Sequence, residues 1–152
     1  MMKKITLALL AVFFLSGCSS SAKKGGMASN VESSLVADFE KHAGDRVFFA
    51  FDSSSISHHS KEVLHKQGEW LKKHPHIKAT IEGHCDERGT REYNLALGER
   101  RAEAVRKFLV HHGIEAGRLD TVSYGKERPA VIGNDEKAWS QNRRGVTSIM
   151  HH

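Results

Sequence analysis

The chain has 152 residues, 39% hydrophobic and 27% charged, which suits one packed domain with appendages and excludes a disordered polymer, a collagen-like repeat or a large multidomain enzyme. Its 23 Lys and Arg against 18 Asp and Glu give +5, and loss of Lys3 and Lys4 with a leader leaves +3, too small an excess to argue for nucleic acid. Two cysteines, Cys18 and Cys85, exclude a disulfide framework and a zinc-ribbon array.

Met1 to Lys4 make a short basic start, and Ile5 to Leu15 follow as an unbroken, mostly apolar run before Ser16-Gly17-Cys18. This is the pattern of a secretory signal peptide over residues 1–17. The run is too short to span a bilayer as a helix, which takes about 20 residues. The tetrapeptide Leu15-Ser16-Gly17-Cys18 resembles the lipobox of bacterial lipoproteins. That resemblance implies cleavage before Cys18, with S-diacylglycerol and an N-acyl chain on Cys18, and several chains on one residue give stable attachment. Ser19, where an aspartate would favour retention in the inner membrane, implies the outer membrane of a Gram-negative cell.

From Ser19 to about Ser34 the sequence is small, polar and Gly-containing, with no apolar period, and reads as a flexible tether. About 16 such residues have an r.m.s. reach on the order of 20–25 Å. Leu35 to His42 read as a short helical lead-in, so the lipidated linker covers residues 18–45 and the domain residues 46–152.

Within the domain, Val47 to Phe51 is aromatic and β-branched and predicts a strand ending in the polar loop Asp52 to Ser55. Ser57 can cap a helix whose Val63, Leu64, Gln67, Trp70 and Leu71 share one face, and Pro75 stops it. Ile77 to Asp86 alternates, with Ile77, Ala79, Ile81, Gly83 and Cys85 on one side and Lys78, Thr80, Glu82, His84 and Asp86 on the other, as in a half-buried strand. A second helix over Tyr93 to His112 carries Gly98, Ala102, Val105 and Leu109 at helical steps, with Gly113 as its stop. Val122 to Tyr124 and Val146 to Met150 predict two further strands, joined through a short helix over Asp135 to Asn142. The order βαβαβ(α)β predicts an α+β domain, a small mixed sheet with helices packed on one face.

Glu82 to Val105 carries the densest chemistry: a strand end, a Gly-bearing turn and a helix start, where side chains and backbone N–H groups converge. Asn94, Leu97 and Arg101 stand at i, i+3 and i+7 and share a helical face, with Asp86 at the strand end. A carboxylate and a guanidinium facing one pocket can hold a zwitterion. Equally, the spacing allows Asp86 and Arg101 simply to pair with each other or with water.

The run GHCDERGTREYNLALGERRA, YGKERP at Tyr124 to Pro129 and WSQNRRGV at Trp139 to Val146 resemble the peptidoglycan-associated lipoproteins of the Tol-Pal system, within the OmpA-like domain family. The family's helix motif is present as Asn94-x-x-Leu97-Gly98-x-x-Arg101-Ala102, and the resemblance covers about Val47 to Ile149. It implies a non-enzymatic protein that binds peptidoglycan stem peptide through meso-diaminopimelate, with Asp86 and Arg101 in contact and Asn94 and Leu97 shaping the groove. It further implies that Phe51 and Asp52 line the other side and that Arg144 reaches the ligand, although strand alternation says only that one of Arg143 and Arg144 faces it. Its implied partners are peptidoglycan, TolB with other Tol-Pal components, and the outer membrane. A role in constriction during division goes with them, and no cofactor or nucleic acid does. Ala50, where an acid or other polar residue is common, and Gly145, where a bulkier one is, depart from the family pattern.

Two other classes have something in the sequence to recommend them. Glu82, His84 and Asp86 on one strand side would suit a peptidoglycan hydrolase. The 11 histidines suggest a periplasmic metal carrier, but His58-His59, His111-His112 and His151-His152 are adjacent and lack a spacing that chelates within one element. No metal ligand is therefore assigned. Cys85, on the buried side, is expected to pack as a small hydrophobe.

Overall fold

The computed structural model describes residues 25–151. The predicted signal peptide and Cys18 lie outside the described residues. The elements run α1 Gly25–His42, β1 Arg46–Phe48, α2 His58–Lys73, β2 Ile77–His84, α3 Arg91–His111, a 3-10 turn Ala116–Arg118, β3 Leu119–Gly125, α4 Glu136–Asn142 and β4 Arg144–His151. The sheet has the order β1-β4-β2-β3, with β2 and β3 parallel and the β1–β4 and β4–β2 pairs antiparallel. It is the mixed sheet of the expected α+β class.

Local signals explain most boundaries. Ser57 accepts from the Ser60 amide to open α2, Thr90 from Tyr93 to open α3 and Asp135 from Ala138 to open α4. Gly113, at φ 109°, follows the end of α3 in the left-handed region that spares glycine a steric cost. The helix faces bury Leu64, Gln67, Trp70 and Leu71 on α2, and Ala102, Val105 and Leu109 on α3, against Ala79 and Ile81 of β2. Buried Gln67 is satisfied rather than misplaced: its amide donates to Gly44 O at 2.8 Å and its carbonyl accepts from Thr147 Oγ1 at 2.7 Å.

Two expectations change. The stretch read as tether up to Ser34 is helical from Gly25, and the folded unit begins before Arg46. Phe39 is 1% exposed in the core and meets Trp70 edge-on at 5.0 Å, while the Trp70 indole donates to Asp38 at 2.7 Å. Met27 to Ser34, ahead of that docked half, are exposed. Leu35, Val36 and Phe39 dock the helix against the core, whereas the apolar residues of its earlier turns, Met27 and Val31, stay exposed among small polar ones. β1 is also shorter than the predicted strand, because after Phe48 the chain turns away to supply a loop instead of another sheet rung.

Candidate functional site

The C-terminal end of β2, the following turn, the first half of α3 and the loop after β1 meet around a cavity of about 200 Å³. α3 can approach β2 this closely because two glycines face each other. A Cβ on Gly83 would lie 1.7 Å from the Gly98 carbonyl oxygen, so only a bare backbone fits there. The turn is then pinned by Asn94, whose side-chain amide donates to Arg88 O at 2.9 Å and Thr90 O at 3.0 Å.

Of the residues singled out in the sequence, Phe51, Asp52, Asp86, Asn94, Leu97 and Arg101 all line this cavity. Arg144 does not. Its side chain donates to Asn142 O and Arg128 O, and it is the β4 partner of His84. Its neighbour Arg143 points the other way: Nη1 reaches Asp86 Oδ2 at 3.3 Å, Nη2 holds Glu136 at 2.5 Å and Nε donates to Phe49 O at 2.9 Å. Neither arginine lines the cavity, and Arg143 is the one that reaches a residue lining it, Asp86.

Asp86 and Arg101 are both buried, 4% and 1% exposed, yet they do not pair with each other. Asp86 accepts from the Arg88 amide at 3.1 Å, Arg88 Nη2 at 2.6 Å and Arg143. Burial pushes its carboxyl up, but the Arg88 and Arg143 bonds outweigh this and hold it below its ordinary value. Arg101 donates to three backbone carbonyls, Ser53 at 2.8 Å, His84 at 2.9 Å and Ala50 at 3.1 Å. It ties the loop after β1 to the end of β2 and uses three of a guanidinium's five N–H donors in doing so.

The spacing did not reveal Arg88 or Tyr93. Arg88 lies between two aromatic faces, its guanidinium carbon 3.9 Å from the Phe51 centroid and 4.0 Å from the Trp139 ring, while it grips Asp86. Tyr93 Oη donates to Asp52, which holds the left-handed φ of 53°. Both contacts join segments far apart in the chain, so only tertiary structure pairs them. Cys85 lines the cavity as well, but its thiol donates to Asn94 O and burial pushes its pKa up, so it is a protonated packing group. Glu82 and His84, 3.2 Å apart, stand together near Arg144, and neither contacts Asp86. The proposed three-residue hydrolase cluster is therefore not assembled.

A family model described as the OmpA family matches residues 48–143, and one described as a prokaryotic membrane lipoprotein lipid attachment site matches residues 2–19. The peptidoglycan-associated lipoprotein of Rhizobium meliloti is 46% identical, over 95% of this chain and 86% of the relative. That of Haemophilus influenzae is 44% identical, over 95% of this chain and 98% of the relative. The chain belongs to the OmpA family, among the peptidoglycan-associated lipoproteins. The crystal structure of the Burkholderia pseudomallei peptidoglycan-associated lipoprotein superposes with a TM-score of 0.68 at 44% identity, covering 70% of this chain and 90% of that one. The C-terminal domain of Helicobacter pylori MotB, 19% identical, shares the fold with a TM-score of 0.66, over 71% of this chain and 85% of that one. Membership in this lipoprotein family makes the chain a membrane-anchored protein of the cell envelope, held through its N-terminal attachment site. Among the described residues no helix is long and apolar enough to cross a membrane.

Proposed function

We propose that this lipoprotein is a non-enzymatic anchor that holds the outer membrane to the cell wall by binding the meso-diaminopimelate of uncrosslinked stem peptides in the cavity beside Asp86. One observation carries the reading: a single recess of about 200 Å³ presents carboxylates, Asp52 and Asp86, together with guanidinium groups, Arg88 and Arg101, beside the apolar Leu97. A free diaminopimelate end is zwitterionic, so it can meet a carboxylate with its ammonium and a guanidinium with its carboxylate, each a charge-assisted hydrogen bond. The names of the relatives, peptidoglycan-associated lipoproteins, support the same ligand.

Acyl chains on Cys18 confine one end of the molecule to the membrane, so even a weak wall site acts at high effective concentration, and many copies sum to a strong but reversible link. On this reading the protein works within the Tol-Pal system, where TolB competes for the wall-binding surface and releases the lipoprotein to sites of constriction. Residues 19–152 lacking the acyl anchor are to be sedimented with purified sacculi, with and without a soluble diaminopimelate-containing stem peptide. Co-sedimentation relieved by the peptide supports the reading. Sedimentation indifferent to the peptide, or release of soluble wall fragments, contradicts it.

A further inference from the structure

At the other end of α3, roughly 27 Å along the helix from Asn94, the fold brings together histidines that no spacing connects. His65 on α2 and His112, just past α3, have their Nδ1 atoms 3.2 Å apart. Two nitrogens each about 2.0–2.1 Å from one metal ion, at neighbouring coordination positions, stand about that far from each other. The ring of His112 is set in place: it packs where a Cβ on Gly68 would lie 2.3 Å from its Cδ2, and its side chain is only 16% exposed. His65 meets the Phe108 ring edge-on at 5.2 Å and the His112 ring at 4.8 Å.

The third member is Glu69, whose Oε1 lies 2.8 Å from His112 Nε2. The carboxylate oxygen can only accept there, from Lys72 Nζ at 3.1 Å as well as from the ring, so His112 Nε2 carries the proton. His112 Nδ1 then bears the lone pair and accepts from His65 Nδ1, whose proton an incoming metal ion would displace to the other ring nitrogen or to water. A carboxylate behind a histidine whose other nitrogen is bare is the arrangement that orients histidine ligands in metal sites. An open cavity of about 300 Å³ adjoins His65, lined with it by Glu69 but also by Lys66 and Lys73, and has room for water ligands. Among the described residues no cluster of three or more His, Cys, Asp or Glu could hold a metal, so protein ligands alone do not close the coordination shell.

The geometry points to a surface site in which His65 Nδ1 and His112 Nδ1 bind one divalent transition-metal ion of the copper and zinc class, with Glu69 orienting His112 and water completing the shell. Imidazole nitrogens select these ions over calcium and magnesium, and Cu(II) is expected to bind tightest. Bridging α2 to α3 in the folded state alone, the ion also stabilises the fold.

Detergent-solubilised full-length lipoprotein is to be titrated with Cu(II) alone by calorimetry, beside His65→Gln, His112→Gln, Glu69→Gln and a His151→Gln/His152→Gln control. We expect the tightest equivalent to weaken at least tenfold in His65→Gln and in His112→Gln, about 10–100-fold in Glu69→Gln, and not at all in the control. Bound Cu(II) should raise the melting temperature of the wild type and not that of His65→Gln. His65 is exposed, so its variant keeps the fold and decides the matter even if His112→Gln does not fold. A tightest site that survives His65→Gln, or that disappears in the control, overturns the proposal.

Discussion

Along β2, Ile77, Ala79 and Ile81 sit in a mostly apolar environment with Leu71, Leu109 and Ile114, whereas His84 and, just past the strand, Asp86 are buried among Arg101, Arg143 and Arg144. The apolar half needs only volume and shape, and its stability grows with the area withdrawn from water. At the charged half, every buried group requires a partner of matching geometry, and a single lost partner strands another charge or carbonyl. Stability is thus concentrated at one end of the sheet and ligand chemistry at the other, with the Gly83–Gly98 contact as the hinge of the arrangement.

The strongest way to break this comparison is at that contact. Gly83→Ala sets a methyl against backbone that cannot yield, and we expect a loss on the order of 4 kcal/mol or more, read as a collapsed urea midpoint. Arg101→Ala comes next. Three carbonyls lose their donor around a hole, at about 3–5 kcal/mol, so this variant loses folding together with any wall binding and Asp86→Asn is the cleaner probe of the ligand. Leu109→Ala, in the apolar half, should cost about 2–5 kcal/mol in the same denaturation series while the surviving folded protein keeps its affinity for the wall.

A smaller effect separates the halves by pH. Burial, and then the Arg144 charge, depress the His84 pKa from 6.5 to about 4. The unfolded chain therefore binds the proton first as pH falls. His84 adds full stability above about 6.5, and that contribution declines down to about 4. Thermal midpoints measured across this window should slope downward toward acid in the wild type, and His84→Gln should flatten the slope. Smallest is Asp135→Ala, which removes the cap of α4 and should lower stability by about 1 kcal/mol without moving the apolar half.

The same contrast decides what the sequence makes legible. Period-two alternation identified β2, and helical spacing identified the buried faces of α2 and α3, because apolar burial depends only on which side a residue occupies. Asn94, Leu97 and Arg101 were placed on one face for that reason. The partners of the charges were not legible: Arg88 finds Phe51 and Trp139, and Arg101 finds Ser53 and Ala50, across separations only the fold closes. The choice between Arg143 and Arg144 turned on the register of β4 against β1 and β2. The first turns of α1 were not legible because their apolar residues, Met27 and Val31, are exposed and set among small polar ones, and His65 with His112 were not because they lie on different elements.

The most direct test is to titrate a soluble diaminopimelate-containing stem peptide into isotopically labelled residues 19–152 and follow the backbone amides by NMR. Binding in the charged half should shift the amides of Ser53, Arg88, Gly89 and Asn94 and leave Ala79, Ile81 and Leu109 where they are. Shifts confined to the apolar half or to α1, or none at saturating peptide, would contradict the assignment of the cavity beside Asp86 as the wall-binding site.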